Sequence, residues 1–163
     1  MKKIFLLFLL TSSSLFSQEK LDKLLNKWNL KNIPYISVEE LAMPKTKAIL
    51  LDAREEKEFK VSHIKDAICV GYNNFKIKKT LKKLPNKNAK IVVYCSLGIR
   101  SEAIAHKLIQ KGYTNVYNLY GGIFEWKNNN FTVLDIKGNK TEKVHTFNKS
   151  WSKWLRKGEK VYE

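Results

Sequence analysis

The run Cys95-Ser96-Leu97-Gly98-Ile99-Arg100-Ser101 places a thiol, a glycine and an arginine in one short loop. Lys90 to Tyr94 before it is the strongest strand signal in the chain, and Ser101 to Lys111 after it reads as a helix. A cysteine at such a junction faces backbone N–H groups with no partner inside the helix, at the positive end of the helix dipole. Both lower a thiol's pKa and favour a bound anion. Gly98 lets the loop curl so that several N–H groups point inward. Arg100 adds a planar cation able to hold an oxyanion through two bonds. The chemistry this spacing permits is nucleophilic attack by the Cys95 thiolate, with Ser96, Leu97, Gly98, Ile99, Arg100 and Ser101 cradling a small anionic substrate. The plainer account is a buried structural cysteine beside an arginine by chance.

Other candidates read mainly as supports. Asp52 and Arg54 follow an apolar run and are expected to brace the loop through an ion pair or backbone hydrogen bonds. His63 can shuttle a proton, but a hydrogen-bonded turn histidine is the simpler reading, and it is grouped with the braces. His106 falls in the third turn of the following helix, pointing away from Cys95, and His145 lies in the tail. Three scattered histidines give no metal-ligand spacing, so no metal site is expected. Cys69 reads as a small buried apolar residue, with a resolving thiol or a bridge to Cys95 as the sharper alternatives.

The elements that must position these residues alternate. Ile33 to Val38 reads as a strand, followed by a helix around Val38 to Met43 with Ser37 as N-cap and Glu40 as its capping-box partner. Ala48 to Ala53 is a continuous apolar run, the mark of a strand buried on both faces. A short charged helix or turn (Glu55 to Val61), a short strand (Ala67 to Val70) and a lysine-rich amphipathic helix (Phe75 to Leu84) lead to the strand before Cys95. After the helix that follows, with Gly112 as its cap, come a strand at Val116 to Leu119 and a helix starting at Ile123 to Trp126. Strands alternating with helices imply an α/β domain, a central parallel sheet with helices on both faces. Leu21, Leu24, Leu25 and Trp28 suggest a lead-in helix over 18–32. Phe147, Trp151, Trp154 and Leu155 suggest a C-terminal amphipathic helix within a basic, aromatic extension, 134–163, that packs back on the domain or docks on a partner. Trp28, Trp151 and Trp154 are expected to anchor the two extensions, and Trp126 to pack in the core.

From about Ile33 to Val133 the chain resembles a rhodanese domain. The likeness rests on four motifs in order: Leu51-Asp52-Ala53-Arg54-Glu55; His63-Ile64 with Ala67-Ile68; the Cys95 to Ser101 loop; and Leu119-Tyr120-Gly121-Gly122-Ile123 with Trp126. The resemblance implies a rhodanese-like fold with a five-stranded parallel sheet and no metal or organic cofactor. It implies a sulfurtransferase in which Cys95 takes a sulfane sulfur from thiosulfate or a polysulfide or persulfide donor and passes it, as a persulfide, to a thiol or cyanide acceptor. Arg100 would then hold the donor's oxyanion end. Related cysteine phosphatases carry arginine six positions after the cysteine; here that position is Ser101, which favours a sulfur-sized substrate over phosphate or arsenate chemistry. A catalytically weak binding or regulatory module on the same fold is the other alternative. Two residues depart from the family pattern: Ser62 and Asp66 stand where the family has glycine, tolerable in a turn if their φ angles are negative.

Thirty-one Lys and Arg face 15 Asp and Glu, a formal charge of +16. The charges are dispersed, as on a solvated surface, although they also attract small anions or acidic partners. No aromatic-and-basic stripe or nucleic-acid-binding motif accompanies them, so nucleic acid is not expected as a partner. A monomer is expected. Lys2-Lys3, the apolar run Ile4 to Leu10 and the small polar residues after it read as a signal peptide over 1–17, cut after Ser17, which would place the protein in the periplasm or outside the cell; an uncleaved anchor is the alternative.

Overall fold

In the computed structural model, which describes residues 18–30 and 32–162, the apolar runs form strands as their patterning implies. The chain divides into two units, one ending at Lys31 and one beginning at Asn32. Within the first, residues 18–28 are helical (α1). Trp28 is exposed rather than an anchor. The expected signal peptide lies outside the described residues.

The second unit is built on a parallel sheet of β1 (Tyr35–Ile36), β2 (Ile49–Asp52), β3 (Ile68–Cys69), β4 (Ile91–Tyr94) and β5 (Val116–Leu119), in the order β1-β5-β4-β2-β3. Between the strands lie α2 (Val38–Ala42), α3 (Glu56–Val61), α4 (Ile77–Leu81) and α5 (Arg100–Gln110); α6 (Gly122–Asn128) follows β5. Ser37 caps α2 by accepting from the Glu40 amide at 3.1 Å, as its spacing predicts. From β2 the chain steps outward to β3, then returns across the sheet to β4 and β5. Right-handed crossovers in two directions put helices on both faces. The reversal falls between the neighbours β2 and β4, and the carboxyl ends of strands at such a reversal leave a crevice for ligands. Asp52 and Tyr94, paired in register, stand at that end.

All four residues of β4 are fully buried. Ile91, Val93 and Cys95 share one core cluster with Ile104, Ala105 and Leu108 of α5. Val92 and Tyr94 alternate to the opposite face. Trp126 packs at 4.6 Å on Phe131 and donates its indole N–H to the Thr132 carbonyl at 2.9 Å.

The C-terminal region corrects an expectation. Instead of one amphipathic helix over Phe147 to Leu155 it forms β6 (Val133–Leu134) against β7 (Lys140–Thr141), β8 (Lys143–His145) parallel to β9 (Glu159–Val161), and a four-residue helix α7 (Lys149–Ser152). Asn148 starts α7 late by accepting from the Trp151 amide at 3.1 Å, and Phe147 sits at φ 65 outside it. The periodicity of 147, 151, 154 and 155 therefore comes from a tight turn and its flanks. Asn128 ties this segment to α6, donating to the Trp154 carbonyl at 3.0 Å and accepting from the Arg156 amide at 2.8 Å.

Candidate active site

Cys95 follows β4 directly and is almost wholly buried. Its Sγ accepts from the Gly98 amide at 3.1 Å. Gly98 adopts φ 107, a backbone that side-chain-bearing residues rarely take, which turns its N–H back onto the sulfur. The α5 N-terminus carries no side-chain cap, so its amides stay available. Burial pushes the Cys95 thiol up, but the Arg100 charge, the Ser101 hydroxyl and amide and the Gly98 amide together outweigh it, leaving the pKa below its ordinary value.

The other thiol behaves oppositely. Cys69, at the end of β3, is half-buried and free, and lies 3.8 Å from the Arg54 carbonyl. Burial and the Asp52 charge raise its pKa. Cys95 is likewise free, and no bridge joins the two.

Arg100 is held differently from the expectation that it grips a donor's oxyanion. Its two terminal nitrogens donate to both Glu58 oxygens at 2.7 and 2.8 Å, and one also donates to Ser96 Oγ at 3.1 Å. Glu58 is fully buried, and its Oε2 also accepts from the Glu55 amide at 2.9 Å, closing the start of α3. Burial disfavours the Glu58 charge, but the hydrogen bonds and charge of Arg100 prevail and hold the carboxyl below its usual range.

Asn118 of β5 buttresses the loop from below. Its Nδ2 donates to the Gly98 carbonyl at 2.7 Å, and its Oδ1 accepts from Ser101 Oγ at 2.7 Å. Ser101 has one hydroxyl proton, and the shorter bond to Asn118 competes with the 3.5 Å approach to Cys95 Sγ. The amides are thus the permanent donors to the sulfur, while the hydroxyl can turn to a full thiolate.

Asp52 and Arg54 form a completely buried pair at 2.6 Å. Arg54 also donates to the Ser62 carbonyl at 2.6 Å, and Asp52 accepts from the Arg54 amide at 2.9 Å. Burial opposes the Arg54 charge, but Asp52 overrides it and raises the pKa further. The pair fixes the turn after β2, beside the Cys95 loop rather than in contact with the sulfur. His63 stacks on Phe59 at 4.0 Å, with Nδ1 3.2 Å from the Phe59 carbonyl, and its backbone bridges to Leu134. His63 therefore braces α3 against the tail.

Leu97 is buried, and Leu97 and Ile99 line a cavity of about 190 Å³ over Cys95, completed by Phe147 and Trp151 from the tail. A larger recess of about 600 Å³ lies elsewhere, beside Cys69, with Lys76, Lys79 and Lys83 among its lining. Four residues of the Cys95 site escaped the sequence reading. Asn118 carried a signal, a polar side chain inside a buried strand. Glu58 sits in a run of charges and carried none. Phe147 and Trp151 were visible as aromatics but assigned to a helix face.

Comparison with known proteins supplies the family. Residues 37–129 match the rhodanese-like domain family. A rhodanese-related protein from Thermoplasma volcanium is 27% identical, with a TM-score of 0.54 over 62% of this chain and 97% of that one. A thiosulfate sulfurtransferase from Pseudomonas aeruginosa shares the fold at 19% identity and a TM-score of 0.59, over 85% of this chain and 26% of that one. The tRNA uridine(34) hydroxylases of Hamiltonella defensa subsp. Acyrthosiphon pisum and Bacillus mycoides are each 36% identical over 87 residues, covering 48% and 50% of this chain but 23% and 27% of those proteins. The chain thus spans about a quarter of the length of those curated relatives. With more than half of its residues inside the matched domain, this chain belongs to the rhodanese-like domain family.

Proposed function

We propose that this protein is a sulfurtransferase that carries a sulfane sulfur on Cys95. The observation that carries the reading is the contact of the Gly98 amide with Cys95 Sγ beside the Arg100 charge, which favours the thiolate. That thiolate attacks the outer sulfur of a donor, the donor's S–S bond breaks, and the donor leaves as its anion. Cys95 then bears a persulfide whose terminal sulfur is stabilised by the same inward-facing dipoles. A thiol or cyanide acceptor takes that sulfur and restores the thiolate, so the reaction runs as two covalent half-reactions. The hydroxylase names belong to much longer chains and touch this one only through the shared domain. The apolar run 4–10 supports export with cleavage after Ser17, which N-terminal sequencing of the secreted chain would read as Gln18.

Intact mass after incubation with inorganic polysulfide tests the reading. The expected result is a gain of one sulfur atom, removed by cyanide and absent from Cys95→Ser. No adduct from polysulfide, thiosulfate or an organic persulfide would leave a binding module. Release of phosphate from an aryl phosphate would instead point to phosphatase chemistry.

A further inference from the structure

The mouth above Cys95 is a cavity of about 190 Å³ whose surface is mostly apolar, lined by Leu97, Ile99, Phe147 and Trp151 together with Ser96 and Arg100. The two aromatic residues lie beyond the matched domain, which ends at residue 129. They are held there by a dedicated construction. Phe147 adopts φ 65, and its amide donates to His145 Nδ1 at 3.0 Å. A bulky residue at positive φ is strained, and such strain persists where surrounding structure imposes it. Asn148 then caps α7 and so sets Trp151. The Phe147 ring faces the Arg100 guanidinium at 5.3 Å.

Charge at this mouth does not suit a dianion. Arg100 is matched by Glu58 at 2.7 Å, so with Cys95 as thiolate the group carries one net negative charge. A doubly charged donor entering the recess sheds its hydration against apolar walls and meets repulsion. The formal charge of +16 gathers anions at the outer surface but does not alter that local balance. A donor with an apolar body gives up less hydration than a dianion on entry and covers the aromatic faces.

We infer that Phe147 and Trp151 make this enzyme selective for small organic persulfides with an apolar body over thiosulfate. The inference rests on the sulfurtransferase reading above. The loading step is balanced without an oxidant. Cys95 thiolate attacks the outer sulfur of R–S–SH, the donor S–S bond breaks, R–S⁻ departs, and the proton of the transferred –SH passes to it. The products are R–SH and Cys95 persulfide anion. Phe147 and Trp151 hold R.

The test measures second-order loading of Cys95 in the full chain, as one-sulfur mass gain in quenched samples, with benzyl hydropersulfide and with thiosulfate. The native protein should favour the benzyl donor by about tenfold or more, the scale of an apolar pocket's discrimination. Trp151→Ala and Phe147→Gly should each cut that ratio by about threefold or more. Phe147→Gly removes the ring while relieving the backbone, so its Tm should not fall, which separates selectivity from misfolding. Equal loading by both donors, or variants that leave the ratio within that threefold bound, would overturn the inference. Loading itself distinguishes the two failures: if benzyl hydropersulfide, thiosulfate or inorganic polysulfide puts a sulfur on Cys95 without the expected ratio, the sulfurtransferase reading stands without the selectivity; if none of the three does, the reading itself fails.

Discussion

Glu58 holds Arg100 by both of its terminal nitrogens, across 42 residues of sequence and from a fully buried position. The carboxylate thus sets the geometry of the cation nearest the reactive sulfur while cancelling part of its charge. In Glu58→Gln the amide oxygen still accepts one Arg100 bond, but the negative charge is gone. Stability at neutral pH should drop by about 2–3 kcal/mol, the range for a weakened buried charged hydrogen bond. Cys95 should move the other way, to a lower pKa, because Arg100 then acts on it uncompensated. Chemical denaturation and the pH profile of thiol alkylation read the two effects separately. Acid should act on this contact directly: a carboxyl held below 4.5 when folded contributes stability that is present above its unfolded pKa and disappears as pH falls through the folded value. The native protein should lose stability on acidification more steeply than the Gln variant.

The two cysteines offer a direct comparison of environments within one chain. Burial raises both thiols; at Cys95 the Arg100 charge and the loop donors reverse that, whereas at Cys69 the Asp52 charge adds to it. Alkylation followed by peptide mapping across pH should give a midpoint below 9.0 for Cys95 and above 9.0 for Cys69. Arg100→Gln should push the Cys95 midpoint upward. A Cys95 midpoint at or above that of Cys69 would remove the basis for its nucleophilic role.

Gly122 packs its Cα against the reactive loop. A methyl added there would stand 2.3 Å from the Cys95 carbonyl oxygen and 2.7 Å from the Ser96 carbonyl. The close approach exists because the Ile123 amide donates to the Cys95 carbonyl at 2.9 Å and the Phe124 amide to that of Ser96 at 3.2 Å, so the start of α6 clamps the loop from behind. Gly122→Ala should cost about 3 kcal/mol or more, combining backbone overlap with a positive φ. Gly112, at φ 84 with open space around its Cα, isolates the backbone contribution. Gly112→Ala should cost only about 1–2 kcal/mol. Equal losses in the two variants, measured by denaturant titration, would show that the clamp tolerates displacement.

What the sequence discloses here follows from how local each determinant is. The thiol, the turn-forming Gly98 and the strand before them are consecutive, so the reactive loop was readable as a unit. The run Ala48 to Ala53 announced a strand covered on both faces, and β2 is that strand. Glu58 and Asn118 act over long separations, and only the sheet order brings them under the loop. The tail misled for the opposite reason. Phe147 and Trp151 have helical spacing, but the Asn148 cap starts the helix between them, and a positive φ holds Phe147 in the preceding turn. Patterning identifies apolar residues that converge; it does not distinguish a helix face from a turn that achieves the same convergence.

Asp66 shows where local chemistry and family pattern diverge. The resemblance to the rhodanese pattern implies a glycine at this position, with a negative φ as the condition for tolerating another residue. Ser62 meets that condition with extended backbone, φ −166, but Asp66 does not, at φ 62. The turn is closed by the Ala67 amide donating to the Ile64 carbonyl at 3.1 Å, so the left-handed residue cannot relax without opening it. Aspartate is among the side chains that accept this region best, through local hydrogen bonding, which explains its survival at the position. The side chain is exposed, so substitutions there report backbone preference with little packing contribution. Glycine and asparagine should match or slightly exceed aspartate, while alanine and then valine should lose stability over a span of about 1–2 kcal/mol. Sulfur loading of Cys95 should be unchanged throughout the series. If Asp66→Val were as stable as Asp66→Gly, the turn would not require the left-handed backbone described here.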